Sequence, residues 1–264
     1  MAPEENPKPR AMLFDQVAEQ YDRYRPAYPE QLIDALVGKT GIDSKSRLLE
    51  IGSGTGKATC MLAERCYQVH CIEPGANLIK VAQNHLRNYP GVTFENTTFE
   101  QWEILEGAFD LVYSASAFHW VSKESGYRRV ARALKSGGYI ALFWNNNADP
   151  QNDFWMEIDR IYKRCAPELQ KYPRTLEEHI QIGEDEIKKS GLFEYRMTGR
   201  YPWQQSYSTE QYIGMLNTHS SHLLLSEENR KCLYKGIAEV IERQGGMMVK
   251  QYLSVLYLAQ KRRE

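Results

Sequence analysis

Leu48-Leu49-Glu50-Ile51-Gly52-Ser53-Gly54-Thr55-Gly56 is the stretch from which the fold is read. A short apolar run ends in an acid and passes into three glycines at alternate positions, the pattern of a buried strand turning sharply into a helix. Gly52, Gly54 and Gly56 allow backbone conformations barred to residues with a Cβ, and they clear space for a ligand to lie against the main chain. A small ligand is therefore expected at this turn.

The spacing narrows the choice of ligand. A dinucleotide fingerprint, G-x-G-x-x-G, uses its third glycine for close helix packing and faces a pyrophosphate with the helix N-terminus. Here the third glycine comes one residue early, and Lys57 occupies the position the fingerprint requires. Glu50 is expected at the mouth of the site, where its charge opposes a pyrophosphate and suits a cation. Glu73 lies 21 residues beyond Gly52, where an acid accepts hydrogen bonds from both hydroxyls of a ribose. That acid supports a nucleoside cofactor without separating dinucleotides from other nucleosides.

Around this turn, residues 46–146 alternate short apolar runs with amphipathic segments, the signal of βα units on a parallel sheet. Strands are predicted over 47–51, 68–72, 92–94, 109–113 and 139–144, with helices over 58–65, 77–87 and 123–134. Breakers follow at Tyr89-Pro90-Gly91 and Lys135-Ser136-Gly137-Gly138. Beyond them, residues 149–181 are polar, aromatic and helical in pattern, and read as an insertion over the ligand crevice. A helix over 184–189 leads into a strand over 193–201, a second helical block covers 209–243, and a final strand covers 249–258. The predicted fold is α/β: a Rossmann-like, doubly wound mixed sheet of seven strands with the last one antiparallel, placed at the sheet edge by a hairpin-like final pair. Residues 1–9 read as a flexible tail and 10–264 as a single domain, with cap insertions at about 149–181 and 206–245.

Composition sets outer bounds. The 264 residues carry 33 basic and 34 acidic groups for a net charge of -1, so no electrostatic footprint for nucleic acid or anionic membrane follows. Cys60, Cys66, Cys71, Cys165 and Cys232 form no C-x-x-C pair; free thiols in a reducing compartment are the simplest expectation. The start, with three prolines and four charges in ten residues, has no apolar core for a signal peptide or anchor. A cytoplasmic protein, monomeric or homodimeric, with no nucleic-acid or membrane partner is expected. The six histidines, 70, 85, 119, 179, 219 and 222, supply no convincing metal-ligand cluster, and His219 and His222 read as exposed helix residues. Lys261-Arg262-Arg263 reads as a solvated tail.

The pattern E-x-G-x-G-x-G resembles motif I of the class I S-adenosylmethionine-dependent methyltransferases, whose cofactor carries an ammonium and a sulfonium and no phosphate. Phe14-Asp15-Gln16-Val17-Ala18-Glu19-Gln20-Tyr21-Asp22-Arg23-Tyr24-Arg25-Pro26-Ala27-Tyr28-Pro29 resembles the N-terminal signature of small-molecule methyltransferases of the type 11 kind. Phe109 to Trp120 is similar to the fourth-strand motif of that family, and Leu134-Lys135-Ser136-Gly137-Gly138-Tyr139 to its turn before strand five. Thr98-Phe99-Glu100 stands where the group usually has an acid- or Ser-Ala-Glu reaching the adenine; the bulky Phe99 in place of alanine is a departure. Ordered matches run from residue 14 to residue 145, about half the chain.

The resemblance implies a methyl transfer from S-adenosylmethionine to a small-molecule acceptor, and roles for particular residues. The amides of Gly52, Gly54 and Gly56 with Ser53 hold the methionine moiety, Glu50 helps orient its ammonium, and Tyr21 and Arg25 close over that end. Glu73 and Pro74 face the ribose, Thr98, Phe99 and Glu100 the adenine, and Ser114 the cofactor from the fourth strand end. His119 is the candidate general base, with an ordinary pKa near ~6.5, and Trp120 an aromatic wall for the sulfonium. Trp144 and Asn145, with Trp155, Tyr201 and Trp203, are candidates for the acceptor pocket. A nicotinamide-dependent oxidoreductase and a catalytically silent binding or scaffold protein on the same fold are the competing readings.

Overall fold

A computed structural model describes residues 13–65, 67–169 and 175–263. The predicted tail at 1–9 and Cys66 lie outside the described residues. Seven strands form one sheet in the order β3-β2-β1-β4-β5-β7-β6: β1 Arg47–Ile51, β2 Gln68–Ile72, β3 Val92–Glu95, β4 Phe109–Ala115, β5 Leu134–Asn147, β6 Phe193–Ser208 and β7 Met247–Lys261. Helices α1 Ala18–Tyr24, α2 Glu30–Thr40, α3 Lys57–Ala63, α4 Ala76–Leu86 and α5 Lys123–Ala133 belong to the first half. The second half contributes α6 Asp153–Cys165, α7 Leu176–Lys189, α8 Thr209–Leu216, α9 Ser220–Leu223 and α10 Glu227–Arg243. None of these helices is long and apolar enough to cross a membrane.

The strands alternate between two cores because successive side chains leave opposite faces of a sheet. On one face Leu49, Ile51, Val112, Ile140, Leu142, Val255 and Tyr257 pack with residues of α5 and α7. On the other, Leu48, Leu111, Tyr113, Ala141, Phe143, Leu256 and Leu258 meet α2 and α3. A register shift between Phe109 and Leu111 puts Phe109 on the first face. Leu48 and Leu49 are both fully buried; truncating either to alanine would cost about 2–5 kcal/mol.

β7 is the antiparallel strand, but it does not lie at the edge. It is inserted between β5 and β6, antiparallel to both, and β6 forms the edge. The last three strands are also longer than their apolar cores predict. The β6–β7 pairing runs from Phe193↔Lys261 to Ser208↔Met247, because polar residues such as Gln204 and Gln205 continue the strand past the sheet body. Lys261 is thus the last residue of β7, donating to the Leu134 carbonyl at 3.1 Å, not part of a tail.

On this extension sits a separate cap core, where Ile158, Ile161, Tyr212, Met215, Leu233, Ile237 and Val240 of α6, α8 and α10 pack against Tyr207, Met248 and Tyr252. The segment at 149–181 is therefore divided: α6 joins the cap, while α7 returns to the sheet through Ile180 and Ile187. Lys250 and Asp149 form a buried ion pair beneath the cap, with Lys250 Nζ 4.8 Å from the centre of the Trp155 ring. Cys165 and Cys232 form a disulfide across α6 and α10, with Cα atoms 5.6 Å apart. This corrects the expectation of free thiols for those two; they are 67 residues apart, and only cap packing brings them together. Cys60 and Cys71 are free. Disulfides are uncommon in reducing compartments, so the cysteines no longer argue for one.

Candidate cofactor and acceptor site

The topological switch point falls between β1 and β4, which pair in parallel and send their following loops to one side. Ligands in open α/β sheets bind at this place. The loop after β1 carries Gly52, Gly54 and Gly56 with φ of 71°, 56° and 83°, all in the left-handed region. Their uses differ. A Cβ on Gly52 would stand 2.5 Å from Cβ of Ala117, and one on Gly56 3.1 Å from Leu86 of α4, so these two serve protein packing. Only above Gly54 is there room, the nearest atom to a Cβ being Cε1 of Tyr21 at 3.9 Å.

Glu50 does not stand at the mouth of the site. It shares a strand face with Leu48, so its side chain enters the α3 layer, 1% exposed. Oε2 accepts from Thr59 Oγ1 at 2.5 Å and from the Tyr113 hydroxyl at 2.7 Å, while Oε1 is buried without a hydrogen-bond partner. Burial, against those two hydrogen bonds, pushes its pKa up to about 7.

Glu73 follows β2 directly, beside the loop, and is 6% exposed. Its Oε2 accepts from Gly54 N at 2.9 Å and its Oε1 from Gly75 N at 2.8 Å. Burial outweighs both amide bonds and raises this carboxyl as well to about 7. Asn96, which no sequence motif marks, donates to the carbonyls of Glu73 and Pro74 at 3.0 and 2.9 Å and fixes the turn. Ser53 Oγ and Thr55 Oγ1 are buried with no hydrogen-bond partner, an unusual state for hydroxyl groups.

The N-terminal segment covers this loop. Asp15 Oδ1 accepts from Asn77 N at 2.7 Å at the start of α4, and Lys57 Nζ donates to the Asp22 carbonyl at 2.6 Å, clamping α1 in place. The Arg25 guanidinium lies 5.2 Å from the centre of the Tyr21 ring. Its Nε and Nη2 donate to Oγ1 and O of Thr218 at 2.8 and 3.0 Å, tying the segment to the cap. Thr218 carried no sequence signal. Asn145 Nδ2 donates to the Ala27 carbonyl at 2.8 Å, and its Oδ1 accepts from Ser254 at 2.5 Å.

Other predicted residues are committed to the scaffold. Phe99 is buried against Trp102 in the sheet core, Thr98 Oγ1 accepts from Gln101 N at 3.3 Å in a turn, and Glu100 accepts from Ser122 N at 2.9 Å at the start of α5. Ser114 is fully buried and donates to the Ile51 carbonyl at 2.7 Å, joining β4 to β1.

His119, Trp120 and Trp144 gather at the carboxyl ends of β4 and β5. Trp144 Nε1 donates to His119 Nδ1 at 3.2 Å, and Trp120 lies between His119 and Phe14, with ring centres 4.7 and 5.9 Å away. Crowding by protein lowers the His119 pKa, although water reaching its exposed face limits the fall. The imidazole is neutral near pH 7. Trp203 stacks on Tyr252 at 4.8 Å and donates to Ser254 at 2.8 Å.

His222, expected to be exposed, is 5% exposed inside the cap, with Nε2 3.3 Å from the Tyr162 hydroxyl. The i, i+3 spacing sets it and His219 on one face, and that face turns inward; burial lowers the pKa of both. No group of three or more His, Cys, Asp or Glu among the described residues is placed to hold a metal ion.

Residues 49–142 match the family described as a methyltransferase domain. An uncharacterized methyltransferase of Schizosaccharomyces pombe is 24% identical over 84% of each chain. A type II methyltransferase structure from Anaeromyxobacter dehalogenans superposes with a TM-score of 0.64 at 18% identity, covering 91% of this chain and all of that one. Haemonchus contortus phosphoethanolamine N-methyltransferase 2, solved with S-adenosylhomocysteine, gives 0.53 at 18% identity over 94% of this chain and 58% of that one. Residues 49–142 are thus similar to a methyltransferase domain, and most of the chain is similar to a protein named as a methyltransferase. The site fits S-adenosylmethionine: the partnerless hydroxyls of Ser53 and Thr55, the room above Gly54 and the acid just after β2 suit a phosphate-free nucleoside carrying an amino acid.

Proposed function

We propose that this protein methylates a small molecule enclosed between the glycine loop, the N-terminal segment and the helical cap. The observation that carries the reading is the double tie of the N-terminal segment across the crevice, from Arg25 to Thr218 and from Asn145 to the Ala27 carbonyl. A macromolecular acceptor would have to break these contacts to reach the loop, whereas a small molecule is closed in by them.

S-adenosylmethionine supplies an activated methyl on a cationic sulfur. The chain's own residues bind, orient and exclude water, and alignment of this kind contributes up to about 7–11 kcal/mol in ideal intramolecular cases. The amides of Gly52, Gly54 and Gly56, expected to hold the methionine moiety, instead donate to the Ile72 carbonyl, Glu73 Oε2 and the Ser53 carbonyl. In our assignment the hydroxyls of Ser53 and Thr55 hold the methionine portion, Arg25 and Tyr21 close over its carboxylate, and Glu73, positioned by Pro74 and Asn96, accepts from the ribose. Thr98 and Glu100 border the adenine side. Glu50, Ser114 and Phe99 act from behind, shaping the loop and strand ends. Trp120, Trp144 and Asn145 line the acceptor side with His119.

Calorimetry against S-adenosylmethionine, S-adenosylhomocysteine and NAD tests the cofactor assignments, with loss of affinity expected for Glu73→Gln and Arg25→Ala. Production of S-adenosylhomocysteine with a library of small acceptors tests the activity. Binding of NAD alone would sink the reading, and turnover only on a protein or nucleic-acid acceptor would sink its small-molecule part.

A further inference from the structure

Ser116 is the one non-glycine residue with positive φ among the described residues, at 56°. It follows β4 directly, and the next residue, Ala117, packs on Gly52 of the cofactor loop. Two contacts hold it there: Ser116 N donates to the Phe143 carbonyl at 2.8 Å, and the Tyr28 hydroxyl donates to Ser116 Oγ at 2.9 Å. Glycine takes this conformation without penalty, and strained residues that persist tend to sit where their side chains are used.

The hydroxyl has a definite direction of donation. Burial pushes the Tyr28 phenol far above its ordinary pKa, so Tyr28 stays protonated and acts as donor, leaving the Ser116 hydrogen free. Three residues on, the bond from Trp144 occupies His119 Nδ1. In the neutral ring Nδ1 is then the bare nitrogen and Nε2 carries the hydrogen, so the free nitrogen of His119 is also a donor. Among the described residues, the neighbouring phenols and carboxyls have other commitments. Burial raises the pKa of Tyr21 and Tyr28, while Glu50 is turned into the α3 layer with Thr59 and Tyr113 and Glu73 is engaged at the loop by Gly54 and Gly75.

We propose that Ser116 Oγ–H and His119 Nε2–H form a two-donor subsite for an acceptor that arrives already ionised, and that the acceptor is a carboxylate converted to its methyl ester. This rests on the small-molecule methyltransferase reading above. A carboxylate oxygen uses a lone pair to form the O–CH3 bond while the S–CH3 bond breaks with its electrons going to sulfur; the sulfonium becomes a thioether and no proton is released. Phenols and alkylamines, with pKa near 10, would need a proton removed first, and the subsite presents hydrogens where a base would be required.

The test uses the full chain with S-adenosylmethionine and a panel of benzoate, cinnamate, hexanoate and succinate against phenol, catechol, hexylamine and benzylamine. Formation of S-adenosylhomocysteine is followed, and acceptor binding to the S-adenosylhomocysteine complex is read by tryptophan fluorescence. Carboxylates should bind and turn over, and the neutral and cationic compounds should not. Ser116→Gly relieves the backbone strain but removes the acceptor of the Tyr28 hydroxyl, so it is compared in a Tyr28→Phe background, where it should melt no lower than Tyr28→Phe alone while weakening carboxylate binding roughly ten- to hundredfold, the worth of one hydrogen bond to a charged group. His119→Ala should weaken binding similarly, and His119→Gln, which keeps a donor but offers no basic nitrogen, should restore most of it.

Preferential turnover of phenols or amines would overturn the proposal, as would unaltered carboxylate binding on adding Ser116→Gly to Tyr28→Phe. Binding of S-adenosylmethionine without binding or turnover of any carboxylate would overturn it too, leaving the methyltransferase reading intact. Failure to bind S-adenosylmethionine would instead overturn the reading beneath it.

Discussion

Glu73→Gln should abolish a large part of the pH dependence of stability. The Glu73 carboxyl titrates near 7 when folded against an ordinary 4.5, so between those values the folded chain holds a proton that the unfolded chain has lost. Stability therefore falls as pH rises through this window and levels off above it. The gap corresponds to about 3 kcal/mol at 1.36 kcal/mol per pH unit. Urea denaturation at pH 5, 6, 7 and 8 would show wild type losing roughly that much more stability than the variant. Glu50 titrates in the same window and is raised in part by the charge of Glu73, so neutralising Glu73 also eases its ionisation and the observed difference exceeds the single-group value. The same carboxyl links protons to the cofactor: ribose hydroxyls donate best to the ionised form, so wild-type affinity for S-adenosylmethionine should rise with pH up to about 7 and the variant's should be weaker and flatter. Parallel stability curves for the two proteins would refute the assignment of a buried, raised carboxyl at this position.

Other consequences follow from the same contacts. Gly52→Ala meets both a φ of 71° and a Cβ 2.5 Å from Ala117, and should lose more than about 2 kcal/mol by denaturation. Gly54→Ala meets only Tyr21 at 3.9 Å; it should cost about 1–2 kcal/mol for its left-handed backbone, with a larger loss in calorimetric affinity for S-adenosylmethionine. Lys250→Met strands Asp149, whose side chain is 4% exposed, so a loss of about 3–5 kcal/mol is expected; adding Asp149→Asn should recover most of it. Reducing the Cys165–Cys232 bond opens a loop of 67 residues, worth up to about 4 kcal/mol in the chain-entropy account, and should lower the melting temperature without changing that of a Cys165→Ser/Cys232→Ser double variant.

The first half of the sheet was legible because its signals are local. Apolar runs bounded by glycine and proline set β1 and β2 at their observed ends, and the glycine spacing marked the β1 turn. Less of the second half was legible. The α7 start was available in Thr175 and Glu178, which form a capping box, but the strand extensions and cap helices mix polar and aromatic residues without a clean period. The burial of Glu50 was also readable in principle, since strand alternation puts it on the face of Leu48.

The acceptor side was only partly legible, for a different reason. A turn that needs left-handed backbone and close packing demands glycines at fixed spacing, and such spacing survives as a motif. An acceptor held by side chains demands only that they converge, and in the proposed subsite they are Ser116 and His119, set by contacts from Tyr28 and Trp144, with Arg25 tied to Thr218 in the segment above. His119 and Trp144 were named from the sequence by resemblance, but Ser116 and Tyr28 were given no acceptor role there, and only folding brings the four together. The signal that survives is conformational: a serine kept at φ 56° where glycine would fit without strain. If its hydroxyl serves only to accept from Tyr28, replacing it with glycine in a Tyr28→Phe background should stabilise the protein and leave acceptor binding untouched. Opposite movements of stability and binding in that one comparison would locate the acceptor site whatever the chemistry of the acceptor.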